Sequence, residues 1–142
     1  MDSPNIDLKL EEILLNTNFA KFGDSIVNFV YNAAVYETKQ KLQGIKVWDK
    51  SLAEACRNSP LRSYLGSKKN SGDLGDAVEA FLSFVYIKNK NSIYDMIKIL
   101  SKSLREKWDL SDKTEQVICG EAFTYLINQM CDELEILPKQ KT

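Results

Sequence analysis

Phe22-Gly23-Asp24-Ser25-Ile26 recurs in form as Leu74-Gly75-Asp76-Ala77-Val78, with the two aspartates 52 positions apart. Each run has an apolar residue, glycine, aspartate, a small residue and a branched apolar residue. Both lie in stretches whose apolar residues return every three or four positions, which is helical spacing. Glycine removes the side chain where two helices cross closely, and the aspartate follows one position later. Helices crossing at these glycines would bring Asp24 and Asp76 together. Glu79 lies three residues after Asp76 and so shares its helix face. The plain alternative is that each Gly-Asp marks a helix start, since aspartate caps helices and favours their positive ends.

Outward from these runs the spacing stays helical, and an all-α fold follows. A first helix is expected over Asp7 to Leu15, capped by Asn5, with Leu8, Ile13 and Leu15 as core positions. A long helix from Phe19 to Leu42 carries the stripe Phe22, Ile26, Phe29, Val30, Ala33 and Ala34, with Gly44 as its stop signal. Asp49 or Ser51 caps a short helix, which Asn58-Ser59-Pro60 breaks. Leu61 to Leu65 makes a further turn, and Gly66 to Gly72 is a small, polar, basic loop. A helix from Asp73 to Ile87 follows, with Val78, Phe81, Leu82 and Val85 inward. Ser92 caps Ile93 to Trp108, where Ile93, Ile97, Leu100, Leu104 and Trp108 share a face. Ser111 starts the last helix, which reaches Leu134. Residues 5–136 are expected to form one domain and residues 137–142 a flexible C-terminal tail. No stretch alternates with period two, so no substantial sheet is expected.

Composition narrows the chemistry. The 142 residues suit one core of their own, and no apolar run approaches the roughly 18 residues that span a bilayer. The first ten residues lack the basic-then-apolar pattern of a signal peptide, so the cytoplasm is the default address. Three cysteines, without Cys-x-x-Cys spacing, read as buried free thiols rather than disulfides or a zinc site. Histidine is absent, which removes Ser-His and Cys-His nucleophile systems and the commonest transition-metal ligand. Any catalysis must rest on carboxylates, lysine, tyrosine or a metal held by oxygen, and oxygen ligands favour magnesium or manganese. Asp24, Asp76 and Glu79 together would repel one another when buried, and a divalent cation is the economical way to hold them. The net charge of -1 gives no general attraction to nucleic acid.

The same residues resemble a family. Phe19-Ala20-Lys21-Phe22-Gly23-Asp24-Ser25 is similar to the ribonuclease III signature, Leu-Glu-Phe-Leu-Gly-Asp-Ala/Ser, which opens a long helix. Asp76-Ala77-Val78-Glu79-Ala80-Phe81 resembles its second motif, Asp-x-x-Glu-Ala-Leu, and Leu82 to Ile87 fits the apolar run that follows. Ser51 to Cys56 is similar to the intervening helix. The resemblance implies the ribonuclease III endonuclease-domain-like helical bundle, and a homodimer cleaving double-stranded RNA with Mg2+, or Mn2+ in its place. It implies Asp24, Asp76 and Glu79 as catalytic residues and metal ligands, and products with 5′-phosphate and 3′-hydroxyl ends. The signature glutamate falls on Ala20 here, as in the mini-ribonuclease III branch. Glu11, Glu12 or Asp73 could compensate. Small archaeal ribonuclease III-like proteins also consist of the nuclease domain alone, and no double-stranded RNA-binding domain is expected after the last helix.

Lys21, beside the site, and Lys68-Lys69 in the basic loop are candidates for RNA phosphate contacts. Lys68 and Lys69 read equally well as a solvated pair. The leading expectation is a metal-dependent endoribonuclease acting on double-stranded or structured RNA, without other cofactors and without a membrane. The alternative on the same fold is a non-catalytic protein that binds RNA or a ribonucleoprotein. An unrelated helical interaction module would instead leave Asp24 and Asp76 far apart at separate helix caps.

Overall fold

The computed structural model describes residues 9–109 and 112–140. The expected cap Asn5, the helix start at Asp7, the core position Leu8 and the helix start at Ser111 lie outside the described residues. Among those described there are six α-helices, one 3-10 turn and no strand, as the spacing predicts.

Helix α1 (Leu10–Leu14) is short and buries Ile13 and Leu14, whereas Leu15 is 58 % exposed. Helix α2 (Thr17–Lys39) starts at Asn16, whose side chain accepts the Phe19 N–H at 3.0 Å. It buries Ile26, Val27, Val30, Tyr31, Ala34 and Val35. The expected stripe is therefore rotated, and Phe22 and Phe29 are 48 % and 59 % exposed. The helix also ends before Leu42. Gln40 takes the left-handed conformation (φ 55°) that Gly44 was expected to provide.

Two asparagines explain why the chain leaves α2 early. The Asn32 amide donates to Ile45 O at 2.9 Å and its oxygen accepts the Ile45 N–H at 3.3 Å. One turn back, Asn28 Oδ1 accepts the Val47 N–H at 2.7 Å. The segment after Gln40 is thus drawn back along α2, and Val47 is buried. Helix α3 (Asp49–Arg57) begins where this segment delivers it, with Trp48 at its N-cap and no side-chain cap bond. Neither Asp49 nor Ser51 caps it, because both lie inside the helix. Ser51 Oγ donates instead to Gln116 O at 2.7 Å.

A 3-10 turn at Pro60–Tyr64 leads to α4 (Ser71–Lys88). This helix starts two residues before Asp73 because Asn70 and Asp73 form a capping box. The Asp73 N–H donates to Asn70 Oδ1 at 2.9 Å and the Asn70 N–H to Asp73 Oδ2 at 3.1 Å. Helix α5 (Ser92–Lys107) has Asn91 at its N-cap, so Ser92 is its first residue rather than its cap. Helix α6 (Glu115–Glu133) is capped by Thr114, whose oxygen accepts the Val117 N–H.

Helix α4 is the axis of the molecule. Every residue from Leu74 to Ser83 is buried except Asp76, the pattern of a helix enclosed on nearly all sides. It packs against α2 and α3, while α3 and α5 rest on α6. Cys56, Cys119 and Cys131 are buried free thiols. The stretch expected as a flexible tail is tied down at its start. Tyr64 Oη donates to Leu137 O at 2.6 Å, and Lys139 pairs with Glu11 at 2.8 Å.

Among the described glycines, Gly23 is the one most closely approached by another helix. A Cβ there would lie 1.9 Å from the carbonyl oxygen of Glu79, whereas one at Gly75 would make ordinary contacts of 3.5 Å and beyond. Gly23→Ala should therefore cost about 3 kcal/mol or more, because backbone must move to make room. Gly75→Ala should be neutral within about 1 kcal/mol, helped by better helix propensity. Urea denaturation of both variants checks this, and equal effects would contradict the assigned crossing.

Candidate active site

The two glycines do not meet each other. Gly23 of α2 lies on the backbone of α4 at Glu79, and Gly75 of α4 faces the start of α3 at Asp49 and Leu52. Each contact sits one residue before an aspartate. Two helix crossings therefore deliver side chains from α2, α3 and α4 to one place. Ser83 Oγ donates to Phe19 O at 2.5 Å and fixes the first crossing one turn from Gly23.

At that place is a cleft of about 650 Å³. It is lined by Asp24, Asp49, Asp73, Asp76 and Glu79, by Lys21, Lys46 and Lys69, and by Ala20 with the turn between α1 and α2. Asp24, Asp76 and Glu79 are brought together here, as are Lys21 and Lys69. Lys68 is not part of the lining. Glu11 is paired with Lys139, and neither it nor Glu12 lines the cleft. A helical interaction module with its aspartates at separate caps is not what the chain forms.

Sequence reading missed Asp49 as a site residue and missed Lys46 altogether. The signal lay in Asn28 and Asn32, whose hydrogen bonds set the path of the segment leading to α3. Asn28 also donates to Asp24 O at 2.8 Å and to Asp24 Oδ1 at 3.4 Å. One side chain thus links the signature aspartate to the strand of chain that carries Lys46 and Asp49.

The electrostatics are those of crowded acids. Burial pushes the Glu79 carboxyl up to about 9, reinforced by its hydrogen bond with Asp24 and by the charges of Asp24, Asp76 and Asp49. Glu79 is only 7 % exposed. Burial among these acids favours its neutral form, and its carboxyl lies within hydrogen-bonding reach of both Asp24 and Asp76. Asp76 is raised as well, chiefly by burial and then by Asp49 and Asp73. Among the described residues, no three acidic or thiol groups stand close enough together to hold a metal ion as they are arranged. The carboxylates line a space rather than close on a point.

A larger groove of about 1030 Å³ lies between α3, α5 and α6. Its charges answer each other, Arg57 pairing with Glu54 and Lys107 with Glu121. Its lining sets Lys50, Arg57, Lys102 and Lys107 against Glu54, Glu106 and Glu121, close to balance, whereas the cleft gathers five carboxylates.

Residues 17–136 match the family model described as Ribonuclease III. This chain belongs to the ribonuclease III family. Membership agrees with the helical fold and points to RNA as partner and to nuclease chemistry. A search of curated proteins found no significant match. The cleft holds Asp24, Asp76 and Glu79, the acids of the two runs that resemble the ribonuclease III motifs. No helix among the described residues is long and apolar enough to cross a membrane.

A raised carboxyl stabilises the fold most where it is protonated in both states. The contribution of Glu79 is full below about pH 4.5, the unfolded value, and is lost as pH rises toward 9. Glu79→Gln keeps the neutral shape without the ionisation. In chelator it should melt higher than the parent at pH 8, by roughly 3 °C for each kcal/mol relieved. The gap should shrink as pH falls to 5. Thermal melts across that range measure it, and a gap independent of pH would show that Glu79 is not strained.

Proposed function

We propose that this protein is a metal-dependent endoribonuclease that cleaves double-stranded or structured RNA by phosphodiester hydrolysis, acting as a homodimer in the cytoplasm. The observation that carries the reading is the meeting of Asp24, Asp76 and Glu79 in one cleft, at the positions where both family motifs place their acids. The donor set is oxygen only, which suits Mg2+ or Mn2+. Asp24, Asp76 and Glu79 would hold the ion, in part through water, since no three of them converge as they stand. Such an ion supplies an activated water and offsets charge on the phosphate.

The protein's own groups do the rest. Burial and the neighbouring acids favour the neutral form of Glu79, and a cation held there would favour its carboxylate, with the proton passing to solvent. Asp24 is held in place by the Asn28 amide. Lys21, Lys46 and Lys69 ring the acids and can meet phosphate oxygens without touching bases, which suits shape-directed binding of a duplex. Their alternation with carboxylates explains how a chain of net charge -1 can address RNA locally.

The homodimer is supported by the outer face of α2. Phe22, Phe29 and Tyr36 recur every seven residues on one side of the helix and are 48 %, 59 % and 45 % exposed. Tyr86 lies beside Phe22 with ring centroids 5.8 Å apart and the rings tilted by 47°. An aromatic seam of this kind marks an interface. The cytoplasmic assignment is supported by three free, buried thiols, which suit a reducing compartment.

Cleavage of a labelled RNA duplex, with Mg2+ or Mn2+ and then with chelator, tests the activity. The parent should cut only with metal, and Glu79→Gln should lose at least about 100-fold, in line with removal of a metal-site group. A folded parent that binds duplex but cuts none with either metal would instead make it an RNA-binding scaffold, for which Ala20 at the signature glutamate's position already argues. Phe29→Asp should shift the particle from dimer to monomer in light scattering after gel filtration. An unchanged mass would place the interface elsewhere.

A further inference from the structure

Of the five acids in the cleft, Asp73 is already spent on capping α4. Asp24 and Glu79 touch each other, and Asp76 follows Gly75 on the same helix as Glu79. That leaves Asp49, which neither family motif contains. It is the first residue of α3 and has no capping duty. Its backbone approaches α4 beside Gly75, with Asp49 O 3.5 Å from where a Cβ would stand, one residue before Asp76. No protein donor engages its carboxylate among the described residues. The position is held from two sides, by Gly75 and by the Asn28–Val47 and Asn32–Ile45 hydrogen bonds.

In the same cleft, Ala20 offers only a methyl group. The buried Glu79 faces the same space and meets carboxyls alone, without an N–H or ammonium partner. The cleft thus holds five acids against three lysines, and Asp49 is an acid there whose carboxylate has no hydrogen-bond or ion-pair partner among the described residues. Resting on the reading of this cleft as the cation-binding active site, we propose that Asp49 is a fourth carboxylate of that site, contributing from α3 the negative charge that α2 lacks at Ala20. It acts on the cation directly or through a bound water. Asn28 is then a positioning residue, since one amide sets both Asp24 and the segment leading to Asp49.

The test is Mn2+ binding by the full chain without RNA, read from the electron paramagnetic resonance signal of the free ion. Parent, Asp49→Asn, Asp49→Glu and Glu79→Gln are compared, with Asp95→Asn on α5 as a charge-matched control outside the cleft. Asp49→Asn should weaken binding about tenfold, Asp49→Glu should recover most of it, and Asp95→Asn should stay within about twofold of the parent. Melting in chelator should show Asp49→Asn as stable as the parent or more so, because a repelling charge has gone. Asp49→Asn binding Mn2+ as tightly as the parent, while Glu79→Gln does not, would overturn the role of Asp49 and leave the cleft's reading intact. A folded parent that binds no Mn2+ would overturn both.

Discussion

The backbone of α2 rests on the backbone of α4 at Gly23, with no side chain between them. Everything about the cleft depends on that contact. Helices separated by ordinary side chains lie 8–10 Å apart at their axes, and a glycine lets them come nearer. At such a crossing the residue after the glycine is projected along the rim of the contact. Asp24 is that residue, and the helix it approaches is the one carrying Asp76 and Glu79. A larger residue at Gly23 would separate the helices and with them the acids. Stability and site geometry are therefore set by the same few atoms.

The arrangement is bought with electrostatic strain. Glu79 sits on a helix that is otherwise apolar from Leu74 to Leu82 apart from Asp76, and its carboxyl is held far above the usual carboxylate range. A core of this kind would be more stable with a neutral residue there, since buried like charges are not repaid by any partner in the protein. Strain concentrated on one side chain, inside a well-packed helix, is the pattern of a site kept for chemistry rather than for folding. The presence of Lys21, Lys46 and Lys69 around the same space softens the field without neutralising it.

How much of this was legible beforehand divides along the range of the interactions. The helices, their stop at Pro60 and the inward faces of α4 and α5 follow from local spacing. The grouping of Asp24, Asp76 and Glu79 was legible because the two Gly-Asp runs are alike and because they resemble a known family. The detailed crossing was not, since glycine was expected to meet glycine and each instead meets another helix. Asp49 was read only as a cap. Its place is decided by hydrogen bonds from Asn28 and Asn32 across 19 and 13 positions, and no local pattern announces such bonds. Phe22 and Phe29 were assigned inward because apolar character does not distinguish a core from a face left for a partner. The early end of α2 was hidden for a related reason, as Gln40 adopts a conformation that glycine adopts more cheaply.

The charge pattern also explains how a nearly neutral protein can serve a polyanion. Five acids against three lysines give a cleft that by itself repels phosphate. On the proposed reading, one bound divalent cation would bring the five acids and three lysines to balance, leaving the lysines in place to meet the backbone. Charge distant from the cleft contributes little, because screening removes it within about 10 Å at ordinary salt. On that reading cation and RNA would reinforce each other by linkage, each favouring the other to the same degree. On that argument the absence of a broad basic surface is no obstacle to an RNA substrate. It places the selectivity for phosphate in the cleft itself, where the carboxylates are.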